Sequence, residues 1–157
     1  MPQNKALFLD RDGVINVNYG YVFEVKKFEF VEGIFELCRR AQELGYLIIV
    51  ATNQSGIARD FYSEEKFLEL TKWMESEFLK QGVKITKTFY CPHHLEAKIE
   101  KYRHDSFDRK PHPGMLLKAI EEFNIDPKKS LMIGDRDVDM MAAKAAGIGL
   151  KIFFNQK

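Results

Sequence analysis

The sequence predicts an α/β fold: a doubly wound, Rossmann-like parallel sheet with helices on both faces. Three observations predict it. Short apolar runs alternate with stretches of helical period along the chain. Three of those runs end in residues that bear chemistry, namely Asp10 and Asp12, Thr52 and Asn53, and Asp135. In open parallel sheets, ligands bind in the crevice beyond the carboxyl ends of the strands, so such residues are expected at one rim.

Taken in order, residues 5–9 form the first strand, a buried apolar run ended by Asp10. Residues 14–30 are apolar and aromatic without a clean period, and read as a packed loop or small hairpin over the crevice. Residues 32–44 carry Ile34, Leu37, Cys38, Ala41 and Leu44 at helical spacing, with Gly45 at the C-cap position. Residues 46–51 are apolar on both faces, as a central parallel strand must be. Ser63 is a suitable N-cap for a helix carrying Phe67, Leu70, Met74 and Phe78, ended by Gly82. Residues 84–90 alternate and contain lysines, the mark of an edge strand. The polar stretch from Cys91 to Lys110 reads as a surface loop with a short helix near 96–102. A helix follows from Pro113 or Gly114 to Asn124, then a strand at 130–135, a helix at 138–146 and a short strand at 149–154.

The length of 157 residues fits one domain, expected to span 1–157. The net charge of +1 gives no reason to expect a nucleic-acid partner. No apolar stretch has the length of a membrane span, and residues 1–5 lack a signal-peptide core, so no membrane partner is expected. The only cysteines are Cys38 and Cys91, which argues against a disulfide framework. A cytoplasmic monomer is the expectation.

Asp10 and Asp12 lie two residues apart and repel when both are ionised, so the pair needs a cation, a shared proton or plain solvent. Thr52, Asn53, Gln54 and Ser55 cluster hydroxyls and amides that can hydrogen-bond phosphate oxygens, or simply form a polar turn. Lys110, fixed by Pro111 at a helix entry, would make a phosphate contact, or stand as a solvated cation. Asn18, Tyr19, Gly20 and Tyr21 could touch a substrate, although aromatics here more simply staple the loop to the core. Carboxylates with a hydroxyl and a lysine at neighbouring strand ends suggest Mg²⁺ and phosphate together. Cys91 and His93 are half of a zinc site, for which His104, Asp105 and Asp108 are the available completions.

The run Phe8-Leu9-Asp10-Arg11-Asp12-Gly13-Val14-Ile15-Asn16 resembles the first signature of the haloacid-dehalogenase-like phosphatases. Thr52 resembles the second motif, Lys110 the third, and Gly134-Asp135 with Asp139 the fourth. Gly20-Tyr21-Val22, residues 52–59, Cys91-Pro92-His93-His94 and residues 109–115 are similar to a subgroup that acts on heptose bisphosphate, whose histidinol-phosphate phosphatase relatives share much of this pattern. The resemblance implies that core without a large cap domain, and a Mg²⁺-dependent phosphomonoester hydrolase acting on a small phosphorylated sugar. It implies Asp10 as nucleophile, forming an aspartyl-phosphate, and an initially protonated Asp12 as general acid and then base. It implies Mg²⁺ on Asp10, the Asp12 carbonyl and Asp135, with Asp139 behind them. Thr52 and Lys110 would hold the transferring oxygens, while Asn53, Arg109 and Arg136 would orient the substrate. The implied reaction is removal of the C7 phosphate of D-glycero-D-manno-heptose 1,7-bisphosphate, with histidinol phosphate as the alternative substrate.

One departure stands out. The subgroup's zinc loop ends in Cys-x-Cys, where this chain has Ser106-Phe107-Asp108, so two thiolates are missing and a metal-free loop is expected. A reading of another class, a phospho-accepting receiver domain, is disfavoured because receivers lack a second aspartate two residues beyond the acceptor.

Overall fold

The computed structural model describes residues 2–155. Five strands form one sheet: β1 (Lys5–Leu9), β2 (Tyr46–Asn53), β3 (Ile85–Cys91), β4 (Leu131–Gly134) and β5 (Leu150–Phe153). Their order is β3-β2-β1-β4-β5, and every neighbouring pair is parallel. The helices are α1 (Ile34–Glu43), α2 (Ser55–Ala58), α3 (Glu64–Lys80), α4 (Gly114–Glu122) and α5 (Asp137–Ala145). None of the described helices is long and apolar enough to cross a membrane.

The two faces follow from the period of two along each strand. Leu7, Leu9, Ile48, Val50, Ile85 and Ile133 point to one side, where they pack on Cys38 and Ala41 of α1 and on Leu70, Met74 and Phe78 of α3. Ala6, Phe8, Ile49, Ala51, Phe89 and Met132 point to the other, against Met115, Leu116 and Ala119 of α4 and Ala142 and Ala143 of α5. Cys38 is fully buried on its helix face, and burial pushes its thiol up to about 12, so it is a core residue.

The strand order runs outward from β1 in both directions, so the topological switch lies at the carboxyl end of β1, between β2 and β4. That placement brings together the residues following β1, those ending β2 and those following β4. The connections 10–33 and 92–113 are the longest, and neither holds a separate cap domain.

Several boundaries differ from the sequence expectation for physical reasons. β2 runs on through Thr52 and Asn53, which pair with Tyr90 and Cys91 of β3, so these two residues are rigid ladder members and not a turn. The four-residue α2 is too short to show a period. Residues 14–30 form a loop pinned at its start, where the N–H groups of Val14, Ile15 and Asn16 all donate to the Arg11 carbonyl. An antiparallel bridge from Asn16 to Phe30 closes that loop. The short helix expected near 96–102 is a single 3₁₀ turn, Glu100–Tyr102. β5 is an edge strand whose four residues are all exposed.

Phe78 is fully buried, with its ring edge-on to Phe30 and Phe35 at centroid distances of 5.7 and 5.1 Å. Phe78→Ala is expected to cost about 3–5 kcal/mol, read as a lower urea midpoint at unchanged slope.

Candidate active site

Asp10 is the first residue past β1, and its N–H donates to the Ile133 carbonyl of β4, which fixes it at the switch point. The chain then turns at Gly13, whose φ of +92° only glycine adopts readily. A Cβ there would also lie 1.9 Å from Asp135 Oδ2. Gly13 therefore lets the turn carrying Asp12 lie directly against the carboxylate that follows β4.

Lys110 is buried and its ammonium reaches three elements. Nζ donates to the Ala51 carbonyl of β2 at 2.8 Å, to Asp10 Oδ1 at 3.0 Å and to Asp139 Oδ1 at 2.5 Å. Its backbone is clasped by Asn53, whose Oδ1 accepts from the Lys110 N–H and whose Nδ2 donates to the Lys110 carbonyl, both at 3.0 Å. Sequence reasoning assigned Asn53 to the substrate; the structure also makes it the clamp that holds Lys110 in place. Asp139 uses its other oxygen to accept the N–H groups of Asp135 and Arg136, capping the start of α5.

Asp10, Asp135 and Asp139 offer carboxylate oxygens within 4.8 Å of one another. Burial pushes the Asp10 carboxyl up to about 8, with Lys110 pulling it down and Asp139 and Asp12 adding to the rise. Burial likewise raises Asp135, whose Oδ1 is buried without a hydrogen-bond partner. Three carboxylates against one ammonium leave the cluster short of positive charge, and the donors are hard oxygens. A Mg²⁺-sized divalent cation fits both facts.

Asp12 is half-buried. Its Oδ1 accepts from Arg11 Nη2 at 2.8 Å and Asn16 Nδ2 at 3.0 Å, and its Oδ2 from Gln54 Nε2 at 3.2 Å. Arg11 is itself buried and held by the Val22 carbonyl at 2.7 Å. A cleft of about 260 Å³ opens over these groups. Of the predicted residues, Asp10, Asp12, Asn18, Gly20, Tyr21, Asn53, Gln54, Ser55, Arg109, Lys110 and Arg136 line it. Thr52 is buried beneath Gln54, which donates to its Oγ1 at 2.9 Å. Tyr19 points elsewhere, exposed and with its hydroxyl on Glu29 at 2.8 Å, so the structure does not bring it into the cleft.

Tyr62 and Val138 also line the cleft, although no sequence feature singled them out. Tyr62 falls in the irregular Arg59-Asp60-Phe61-Tyr62 run, where neither period nor motif marks a functional residue.

Of the residues named as possible zinc ligands, His93 and His104 lie ring to ring, with centroids 3.9 Å apart. Among the described residues, the one group of three or more possible ligands within reach of a shared ion is the Asp10 cluster. Cys91 is buried, with its thiol raised by burial against hydrogen bonds from the His93 backbone and Ser106. Asp108 pairs with Lys118 at 2.5 Å and takes up the Ser106 Oγ through its N–H at 3.1 Å. The loop is instead tied down by Glu64 of α3, whose two oxygens accept from the hydroxyls of Tyr90 and Tyr102. A small cluster of Ile57, Phe67, Ala97 and Tyr102 packs beneath it.

The haloacid dehalogenase-like hydrolase family matches residues 3–147. The D-glycero-beta-D-manno-heptose-1,7-bisphosphate 7-phosphatase of Vibrio cholerae serotype O1 is 52% identical over 147 residues, 94% of this chain and 79% of that protein. The D-glycero-alpha-D-manno-heptose-1,7-bisphosphate 7-phosphatase of Burkholderia mallei is 50% identical over 94% of this chain and 78% of that protein. Among solved structures, the D,D-heptose 1,7-bisphosphate phosphatase from B. bronchiseptica complexed with magnesium and phosphate superposes with a TM-score of 0.84 at 26% identity, covering 94% of this chain and 79% of that one.

Asp139→Ala would leave Lys110 one partner short and uncap α5. Lys110 keeps Asp10 and the Ala51 carbonyl, so the expected loss by denaturant melting is that of the helix cap, about 1–2 kcal/mol.

Proposed function

The chain belongs to the haloacid dehalogenase-like hydrolases, and on that premise we propose that it removes the C7 phosphate of D-glycero-D-manno-heptose 1,7-bisphosphate. The observation that carries the reading is the Asp10–Asp12 pair at the switch point, with Lys110 fixed against Asp10 and the Asp135 cluster alongside.

The backbone N–H of Arg11 and the Lys110 ammonium both donate to Asp10 Oδ1, so the carboxylate is held in one orientation. Asp10 attacks phosphorus, the bond from phosphorus to the C7 oxygen breaks, and Asp12 gives its proton to that oxygen. Asp12 then takes a proton from water, the water oxygen attacks the phosphorus of the aspartyl-phosphate, and Asp10 and inorganic phosphate are released. The donors that surround both Asp12 oxygens suit this second role. Lys110 and the Thr52 hydroxyl stabilise the charge that develops on the transferring oxygens. Asp10, Asp135 and the Asp12 carbonyl would hold Mg²⁺, which when bound neutralises the repulsion between Asp10 and the phosphate dianion.

The cleft also supports a bisphosphate. Lys110 serves the phosphate at Asp10, while Arg109 and Arg136 line the same cleft. Arg109 Nη1 is buried with no hydrogen-bond partner, a guanidinium edge suited to an anion such as the C1 phosphate. Histidinol phosphate carries an ammonium beside its phosphorylated carbon and an imidazole at its far end, so it offers the two arginines no second anion.

For the loop, we infer a metal-free fold held by Glu64, Tyr90 and Tyr102.

Asp10→Asn is expected to abolish phosphate release, and retained turnover would remove it as nucleophile. Assayed side by side, heptose 1,7-bisphosphate should be hydrolysed with a kcat/KM at least about 100-fold above histidinol phosphate, since losing a paired anion costs about 3 kcal/mol. Elemental analysis of protein purified without added zinc should find far less than one zinc per chain, and chelation should leave the melting temperature of the loop's tyrosine signal unchanged.

A further inference from the structure

Gln54 is buried, and its amide touches both Asp12 and Thr52. One Nε2 hydrogen points to Asp12 Oδ2 at 3.2 Å and the other to Thr52 Oγ1 at 2.9 Å. Its Oε1 accepts from the Tyr62 hydroxyl at 2.5 Å. A flipped amide would set Oε1 against an Asp12 oxygen and present Nε2 to a hydroxyl that already serves as donor, so the network fixes one orientation.

The placement of Tyr62 is itself built. Its ring stacks on Phe23 of the 14–30 loop at a centroid distance of 5.2 Å. Its edge occupies the space a side chain at position 56 would need, since a Cβ on Gly56 would lie 2.3 Å from Tyr62 Cε1. Gly56 opens the room through which Tyr62 reaches Gln54.

We propose that Tyr62, acting through Gln54, is a positioning residue for the reaction: it aims the Gln54 amide so that Asp12 is held at the leaving group. This rests on the acid–base role of Asp12 given above. The Asp12 consequence is steric and directional. A carboxyl anchored on Oδ2 by Gln54 and on Oδ1 by Arg11 and Asn16 cannot rotate away from the leaving oxygen. Gln54 also holds Thr52, whose Oγ1 accepts the second Nε2 hydrogen at 2.9 Å while its own hydrogen goes to the Asn53 carbonyl at 3.3 Å.

The leaving group separates this role from a structural one. A sugar alkoxide is a poor leaving group and needs the proton from Asp12, whereas p-nitrophenolate leaves without one. Tyr62→Phe keeps the ring on Phe23 and removes only the hydroxyl. It should lower kcat/KM for heptose 1,7-bisphosphate about tenfold or more beyond its effect on p-nitrophenyl phosphate, as partial loss of general acid catalysis requires. Gln54→Leu should show the same discrimination, and Tyr62→Phe added to it should cause no further loss, because the two act in series. Equal losses on both substrates, no loss at all, or additive losses in the double variant would overturn the proposal. Asp12→Asn is the control: if it does not discriminate between the two substrates, the acid–base reading of Asp12 fails, and if it does while Tyr62→Phe does not, only the positioning role fails.

Discussion

A single buried ammonium ties this structure together. Lys110 Nζ bonds three elements at once: the end of β1 through Asp10, β2 through the Ala51 carbonyl, and the start of α5 through Asp139. Burying a lysine is costly unless its charge is answered, and so is burying two carboxylates beside it. Each answers the other only if β1, β2 and β4 arrive side by side with their carboxyl ends level, which the strand order provides. The catalytic geometry and the stability of the sheet rim are therefore the same set of contacts. Lys110 can occupy this position because Asn53 clasps its backbone at both polar groups, and Asn53 can do so because β2 extends rigidly to it.

Around that point the site divides into two kinds of environment. Asp10 and Asp139 are buried and Asp135 is half-buried against them, and there repulsion and desolvation call for a cation. Asp12, two residues on, is half-exposed and surrounded by donors from Arg11, Asn16 and Gln54. Two carboxylates in different surroundings can take different parts, one as nucleophile and one as proton carrier. Gly13 turns the chain directly after Asp12, with no side chain to strike Asp135.

Much of this was legible in the sequence because it rests on local signals. The apolar runs of β1, β2 and β4 and the periods of α1 and α3 announce the parallel sheet, and Asp10, Asp12, Lys110 and Asp135 fall at the strand ends and helix entry where such a sheet puts its chemistry. What could not be read depends on contacts between distant residues. The clamp role of Asn53 involves a partner 57 residues away. Tyr62 enters the cleft only because Gly56 leaves room and Phe23 supports its ring. Tyr19 is one of the residues that could touch a substrate, yet it is exposed with its hydroxyl on Glu29. The Cys91–Asp108 loop shows the same limit in another form: the missing ligands were visible, but the Glu64–Tyr90–Tyr102 tie that supports it joins residues from three separate segments.

The central claim is that Asp10 carries the phosphoryl group before water does. The stereochemical outcome at phosphorus tests it most directly, using a substrate whose transferred phosphate is made chiral with oxygen isotopes and sulfur. Two successive in-line displacements, first by Asp10 and then by water, predict overall retention of configuration. Inversion would mean that water attacks the substrate in a single displacement, and the account of the Asp10 site would be wrong.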